Sequence, residues 1–338
     1  MKRRIVNICF VVACLAIAFV ACKPSPKEYI KNQGRIHGTY YTATYLQPKG
    51  KDLQAELEKH MKEFELSLST FNPASVISRI NQNDPEVVAD EYFETMFSMA
   101  QEVSEKTGGA FDITVAPLVN AWGFGFGDRE RTQVPDVADI LPYVGYEKVR
   151  LENHRILKDD PDIMLDASAI AKGYSSDVMG KFLEKNGCQN YMIEIGGEIA
   201  CKGKNPKGKN WTIGIDTPID DPEVTQRKLQ AIVSITDVGL ATSGNYRQFY
   251  YMGNKKYSHT IDPRTGYPVN HSLLSATVIA PTCMQADAYA TAFMVLGKDD
   301  ALSVCESVPG MDCYLIYADE NGENQVVYTP GFERYLVK

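Results

Sequence analysis

Residues 257 to 269 read Tyr-Ser-His-Thr-Ile-Asp-Pro-Arg-Thr-Gly-Tyr-Pro-Val, and they combine a tight turn with groups suited to acid–base chemistry. The turn is predicted over Asp262 to Gly266, because Asp favours its first position, Pro presets φ and Gly tolerates the positive φ at its end. His259, which titrates near neutral pH, would be held close to Asp262 and Arg264. A surface hairpin with a structural Asp–Arg pair is an equally good interpretation of this stretch alone.

The composition is that of a globular protein without nucleic-acid-binding character. The chain has 338 residues, enough for one large domain or two medium ones, and 44% of them are hydrophobic while 23% are charged. Its formal net charge is −8, whereas nucleic-acid binders usually carry a basic face. We therefore predict no nucleic-acid partner.

The first 21 residues resemble a bacterial lipoprotein signal. A positively charged start precedes an apolar run from Ile5 to Val20, which is short for a membrane-spanning helix, and a small residue then precedes Cys22. We predict that Cys22 is the lipidated first residue of the mature chain and that residues 22–33 form a tether. The globular part would then be exported and anchored at the periplasmic face of a bacterial membrane. An uncleaved anchor helix is the alternative interpretation.

The cysteines of the mature chain do not define a metal site or a disulfide framework. There is no CxxC and no spacing typical of zinc ligands. A disulfide such as one between Cys305 and Cys313 is compatible with an oxidising compartment. Besides Cys22, the cysteines after the signal are Cys188, Cys201, Cys283, Cys305 and Cys313.

The residue pattern predicts both helices and strands. Apolar residues at helical spacing predict helices over Asp52 to Ser69 and Glu91 to Thr107. A run of aromatic and β-branched residues predicts one strand over Arg35 to Tyr45. Further strands are predicted at 191–195, 198–201, 231–235, 248–252 and 274–279, with a polar loop at 241–247.

A candidate phosphate-binding site precedes a predicted helix at Lys172. Small residues flank Ala169, which allows a ligand or ion to approach its backbone. Lys172 lies at or just before the helix N-terminus, where free N–H groups and the helix dipole attract phosphate. An ordinary surface lysine is the alternative.

A candidate metal site lies on the helix predicted over Gln285 to Gly297. Asp287 and Thr291 are four residues apart and share one helical face, with alanines around them. A carboxylate and a hydroxyl form a hard oxygen site suited to Mg²⁺. The alternative is that Asp287 stabilises the helix dipole and Thr291 bonds back to the helix.

Eight short stretches, taken in order, resemble the FAD:protein FMN transferases, the ApbE family. They span most of the chain, from about residue 34 to 297, and include Asp-Ala-Ser-Ala-Ile-Ala-Lys-Gly-Tyr at 166–174. The eight are Gly38–Tyr41, Leu68–Phe71 with Ser78–Asn81, Ala110–Thr114, Asp166–Tyr174, Ile195–Glu198, Thr242–Gly244, Ser258–Gly266, and Ala286–Ala288 with Thr291.

The resemblance implies a single α+β domain, related to the T-fold, over residues 34–338, with FAD in a cleft between its halves. His259 is implied as the catalytic base, and Mg²⁺ would be held by the Ala169 carbonyl, Asp287 and Thr291. His37 stands where the family commonly has methionine. The implied FAD-binding residues are Phe71, Ala110, Phe111, Asp112, Asp166, Lys172 and Ile261.

The activity that the resemblance implies is transfer of the FMN moiety of FAD to a Thr or Ser hydroxyl of an acceptor protein, with release of AMP. Implied acceptors are subunits of the sodium-pumping NADH:quinone reductase and of the related Rnf complex. Two alternatives remain from the residues. One is a Mg²⁺-dependent FAD pyrophosphatase, and the other is an exported FAD-binding lipoprotein without catalysis.

Overall fold

The computed structural model describes residues 28–125, 133–219, 228–245, 249–253 and 255–338. The predicted signal and Cys22, the predicted site of lipidation, lie outside these residues. None of the helices in the described ranges combines the length and the apolar character needed to cross a membrane.

The architecture mixes helices and strands, as predicted. The helices are α1 (Gln54–Leu68), α2 (Val76–Asn81), α3 (Glu91–Lys106), α4 (Ala116–Ala121), α5 (Ala171–Lys185), α6 (Cys283–Leu296) and α7 (Lys298–Ser307). The strands are β1 (Ile30–Ile36), β2 (Thr39–Tyr45), β3 (Val149–Glu152), β4 (Arg155–Lys158), β5 (Tyr191–Ile195), β6 (Glu198–Lys202), β7 (Trp211–Asp216), β8 (Leu229–Ile235), β9 (Val238–Gly244), β10 (Phe249–Met252), β11 (Lys255–Ser258), β12 (Leu273–Ala280), β13 (Asp312–Ala318) and β14 (Asn324–Tyr328).

Eight of these strands form one antiparallel sheet in the order β1-β2-β5-β6-β9-β12-β13-β14. The remaining strands pair as β3–β4, β7–β8 and β10–β11. Because successive side chains of a strand point to opposite faces of the sheet, the central strands contribute to two hydrophobic cores. Val278 and Leu315 belong to the core shared with α3 and α6, and their neighbours Ile279 and Ile316 belong to a core beneath β7–β8.

Helix α6 lies at the centre of the larger core. Eleven of its 14 residues are buried, and it packs against β9, β12, α3 and α5. A helix that is apolar nearly all round belongs in the interior, so the acid that it carries, Asp287, is buried too.

The predicted helices are confirmed, but three predicted segments differ. The strand predicted over Arg35 to Tyr45 is two strands, because His37 and Gly38 adopt φ of 51° and 70° in the tight turn between β1 and β2, a conformation suited to two-residue hairpins. Strand β1 begins at Ile30, so residues 30–33, predicted as the end of a tether, pair within the sheet. Residues 241–244, predicted as loop, belong to β9, where Thr242 bonds Thr277 of β12 at 2.9 Å.

Candidate functional site

Helices α5 and α6 meet where the candidate phosphate and metal residues lie. The helix α5 begins at Ala171, so Lys172 is in its first turn, as predicted. The backbone N–H of Gly173 donates to Asp287 Oδ2 at 2.9 Å. From the same helix, the Asp177 carboxylate accepts the N–H groups of Cys283 and Met284 at 2.9 and 2.8 Å. The start of α5 therefore holds the start of α6 in place.

Lys172 lies between two buried acids. Its Nζ is 3.2 Å from Glu198 Oε1 and 3.9 Å from Asp287 Oδ2, and these acidic side chains are 7% and 3% exposed. Burial raises the pKa of Glu198 to about 8 and also raises the pKa of Asp287, because Lys172 only partly offsets the loss of hydration. Burial works against the charged form of Lys172, but Asp287 and Glu198 outweigh it and raise the pKa of the lysine.

Two tight turns of the main sheet approach this cluster. Gly196, in the turn between β5 and β6, has φ of 66°. A Cβ at this glycine would lie 3.0 Å from Thr39 Cγ2 and 3.3 Å from both Lys172 Cδ and Glu198 Oε2. Only a residue without a side chain lets the two hairpins and the α5 N-terminus come this close.

His37, at the tip of the β1–β2 hairpin, is held by two polar side chains. Its Nδ1 is 3.1 Å from Glu65 Oε1, and its Nε2 is 2.8 Å from Ser175 Oγ. With Glu65 as a carboxylate, Nδ1 donates and Nε2 accepts the Ser175 hydroxyl proton. Burial lowers the pKa of His37, against the opposing effect of Glu65, so the neutral ring is favoured.

The stretches at 110–114 and 166–170 also lie side by side. The backbone N–H of Asp166 donates to the Ile113 carbonyl at 2.7 Å. The Asp166 carboxylate accepts from the Ser168 N–H and hydroxyl, and the Asp112 carboxylate accepts from the Thr114 N–H and hydroxyl. Burial raises the pKa of Asp112 to about 6. The side chains of Ala110 and Phe111 are buried in the core.

The predicted turn at Asp262 to Gly266 is present. The Gly266 N–H donates to the Asp262 carbonyl at 2.8 Å, and Gly266 has φ of 78°. Arg264 donates through Nε and Nη2 to both oxygens of the Asp262 carboxylate at 2.9 Å. A Cβ at Gly109 would lie 3.7 Å from Arg264 Cγ, so this turn lies against the start of the 110–114 stretch.

His259 is half-buried, with its ring 6.3 Å from that of Phe124 in an edge-on arrangement. The next residue, Thr260, donates to Asn245 Oδ1 at 2.5 Å. Two residues back along the chain from Asn245, Ser243 of β9 has its hydroxyl 3.3 Å from that of Thr291. The end of β9 thus connects the His259 segment with the metal candidates on α6.

Two of the predicted FAD-binding residues, Ile261 and Phe71, differ in how far their side chains are exposed. The Ile261 side chain is buried in a small cluster with Trp122 and Leu118. Phe71, in the connection between α1 and α2, keeps 79% of its surface exposed, which leaves room for contact with a planar ligand.

Sequence reasoning assigned no role to four polar residues that shape the site, namely Glu65, Ser175, Asp177 and Glu198. The sequence held a signal for one of them, Glu198, because this acid directly follows the predicted Gly196-Gly197 turn. In the part of the chain that the structure describes, no three His, Cys, Asp or Glu side chains are grouped so as to hold a metal ion. The five cysteines after Cys22 are free thiols in the structure, Cys305 and Cys313 included.

Comparison with known proteins gives consistent matches. The ApbE family model matches residues 37–315. An FAD:protein FMN transferase of Haemophilus influenzae is 37% identical over 338 residues, covering 95% of each chain. One from Vibrio cholerae is 37% identical over 309 residues, covering 88% of this chain and 90% of the relative.

Solved structures match as well. The flavin transferase ApbE from Vibrio cholerae superimposes with a TM-score of 0.82 at 34% identity, covering 92% of this chain and 100% of that one. The apo form of the Pseudomonas stutzeri flavinyl transferase ApbE superimposes with a TM-score of 0.79 at 29% identity, covering 91% and 96%.

Proposed function

This chain belongs to the ApbE family, and from that premise we propose that it transfers the FMN moiety of FAD to a Ser or Thr hydroxyl of an acceptor protein, with Mg²⁺ bound and AMP released. It is an enzyme of the FAD:protein FMN transferase class. One observation carries the proposal: the α5 N-terminus and Lys172 both lie next to the buried carboxylate of Asp287.

The residues present suit a hard divalent cation. Asp287, the Thr291 hydroxyl and the Ala169 carbonyl supply oxygen ligands, which Mg²⁺ prefers. The cluster also holds two buried acids against one lysine, and Glu198 Oε2 is buried without a hydrogen-bond partner in the part of the chain that the structure describes. A cation could take the place of the proton that burial favours on these acids. When bound, Mg²⁺ would neutralise pyrophosphate charge and withdraw electrons from phosphorus.

The chain's own residues supply binding and proton transfer. The positive end of the α5 dipole, together with the Lys172 ammonium, is suited to attract the FAD pyrophosphate. His259 would accept the proton of the acceptor hydroxyl as that oxygen attacks the FMN phosphorus. The P–O bond to AMP breaks, AMP leaves with the bonding electrons, and FMN remains joined through a phosphodiester. Positioning and charge stabilisation supply most of the rate.

The proposal includes where the enzyme works and on what. Its acceptors would be subunits of membrane redox complexes of the sodium-pumping NADH:quinone reductase or Rnf type, and a lipid on Cys22 would anchor it outside the cytoplasm. The apolar run before Cys22 supports the anchor.

A mass measurement tests the activity. The full-length protein is incubated with FAD, Mg²⁺ and a peptide of the type Asp-x-x-Ser/Thr-Gly-Ala-Thr/Ser. We expect the peptide to gain the mass of FMN less water, with one AMP for each peptide modified. A control peptide with Ala at the acceptor position should stay unmodified. Free FMN and AMP with an unmodified peptide would indicate a pyrophosphatase, and bound FAD without turnover would indicate storage.

A further inference from the structure

The cluster of Lys172, Glu198 and Asp287 has one basic group for two acids. The single ammonium group lies near two carboxyl groups whose side chains are 7% and 3% exposed. Burying a charged group without a partner costs free energy. We therefore expect a cluster of this kind where a further group binds and supplies the missing partner. Lys172 is closer to Glu198, at 3.2 Å, than to Asp287, at 3.9 Å.

Glu198 uses only one of its two carboxylate oxygens. Oε1 contacts Lys172, but Oε2 is buried and finds no hydrogen-bond partner among the residues that the structure describes. The residue is 5% exposed. A Cβ at Gly196 would lie 3.3 Å from both Glu198 Oε2 and Lys172 Cδ, so the unused oxygen and the lysine stem both lie against the β5–β6 turn. Buried polar atoms without partners are rare enough to call for an explanation.

Asp287 differs from Glu198 because a backbone N–H group binds its carboxylate. Its Oδ2 accepts the Gly173 N–H at 2.9 Å and is also the atom nearest Lys172. The carboxylate is therefore fixed by the backbone of α5, while Lys172 has a long, flexible stem. Of the two groups, Lys172 therefore has the greater conformational freedom within the cluster.

We propose that Glu198 is a positioning residue that holds the Lys172 ammonium away from Asp287, so that the Asp287 carboxylate can take a divalent cation and Lys172 pairs fully with Glu198 when that cation binds. This inference rests on the proposed function. The second oxygen of Glu198 then gives Lys172 a full ion pair within the site, near the α5 N-terminus where the pyrophosphate would lie. Without Glu198, Lys172 would turn to Asp287 and compete with the cation.

Direct metal binding tests this role apart from activity. Mn²⁺, as a probe for Mg²⁺, is titrated into the full-length protein without FAD and followed by calorimetry or by the loss of the free-ion EPR signal. We expect Glu198→Gln, which keeps the shape but loses the charge, to weaken Mn²⁺ binding at least tenfold. Lys172→Met should tighten Mn²⁺ binding, because the competing ammonium is gone, while it weakens FAD binding.

The double variant, Glu198→Gln with Lys172→Met, distinguishes a positioning role of Glu198 from a direct effect of its charge on the cation. If Glu198 acts through Lys172, Glu198→Gln should change Mn²⁺ affinity by less than about twofold in the Lys172→Met background. An undiminished tenfold effect there would overturn the inference, as would wild-type affinity in Glu198→Gln. If both single variants weaken Mn²⁺ binding in step with their loss of thermal stability, the pair is only structural and the inference is also overturned.

The same titration distinguishes this inference from the proposed function. A wild-type protein that binds no Mn²⁺ at millimolar concentration and transfers FMN with EDTA present would overturn the metal part of the proposed function. A wild type that binds Mn²⁺ and needs it, but is indifferent to Glu198→Gln, would overturn only the role of Glu198.

Discussion

The backbone N–H of Gly173 donates a 2.9 Å hydrogen bond to the carboxylate of Asp287, and this contact joins the helices that carry the candidate phosphate and metal groups. The helices approach this closely because residue 173 has no side chain. An added Cβ would lie 2.3 Å from the Cys283 carbonyl oxygen and 2.7 Å from Asp287 Cβ, distances that no pair of atoms tolerates without movement. The contact between α5 and α6 therefore depends on this glycine.

Gly173→Ala should push α5 and α6 apart. We expect a loss of about 1–3 kcal/mol in the free energy of unfolding, as for other overpacked cores, together with weaker FAD binding because Asp287 moves. Urea denaturation and fluorescence titration with FAD measure both. Gly180→Ala in the same helix is the matched control, because its Cβ would meet the Tyr191 ring and hydroxyl rather than Asp287. Equal loss of FAD binding in the two variants would contradict the prediction.

Asp287→Asn should abolish Mg²⁺-dependent turnover while the protein stays folded. The amide oxygen still accepts the Gly173 N–H, but it carries no charge for a cation. Initial rates over a Mg²⁺ series measure the effect, with circular dichroism as the test of folding. Asp299→Asn is the control, since that acid is 83% exposed. If Asp287→Asn keeps full activity at low Mg²⁺, the acid has only a structural role.

His259→Asn should retain FAD but transfer FMN more slowly, by about 10²–10⁴-fold, the usual contribution of a general base. Single-turnover rates over a pH series, beside FAD affinity, separate proton transfer from binding. His154→Asn serves as the control because that imidazole is 70% exposed and pairs with Glu94. Transfer at the wild-type rate by the folded variant would exclude His259 as the base, and Asp262 would be the next candidate.

Asp177 should make stability depend on pH. Burial raises the pKa of this carboxyl from its ordinary 3.8 to about 6, so between these values the folded protein keeps a proton that the unfolded chain has lost. Its contribution to stability is therefore largest below about pH 4 and falls as pH rises through 6, by about 3 kcal/mol in all.

Asp177→Asn isolates this effect, because the amide oxygen keeps a hydrogen-bond acceptor for the α6 N-terminus and does not titrate. Urea unfolding at pH 4.5 and pH 7 should show that the wild type loses more stability than the variant over this interval. Asp162→Asn, at an exposed loop position, should behave like the wild type. Identical pH slopes for the wild type and Asp177→Asn would show that this carboxyl is not perturbed.

Cys22→Ala should leave the precursor without lipid, since the thiol is the predicted site of attachment. Metabolic labelling with a radioactive or clickable fatty acid in a bacterial host detects the modification. Cys14→Ala is the matched control within the apolar run and should be labelled normally. Label that persists in Cys22→Ala would rule out this cysteine as the anchor.

Several local features were predictable because neighbouring residues control them. The apolar spacing of Glu91 to Thr107 predicted α3, which the structure has at Glu91–Lys106, and the Asp-Pro-Arg-Thr-Gly order predicted the turn that ends at Gly266. The same local reasoning failed at residues 241–244. Small polar residues are typical of loops, but in β9 the ladder to β12 satisfies their backbone and Thr277 satisfies Thr242.

The composition of the site was predictable only in part. The sequence allowed us to recognise Asp287, Lys172 and His259, because each lies in a short motif of neighbouring residues and these motifs follow the order that the family shares. The pairing of Lys172 with Glu198 was not, because these residues belong to α5 and β6. Their distance depends on how the β5–β6 turn, the β1–β2 hairpin and the Gly173 contact pack together. The sequence by itself determined the elements and the reactive groups, whereas long-range packing alone decided which of those groups share a buried, low-dielectric site.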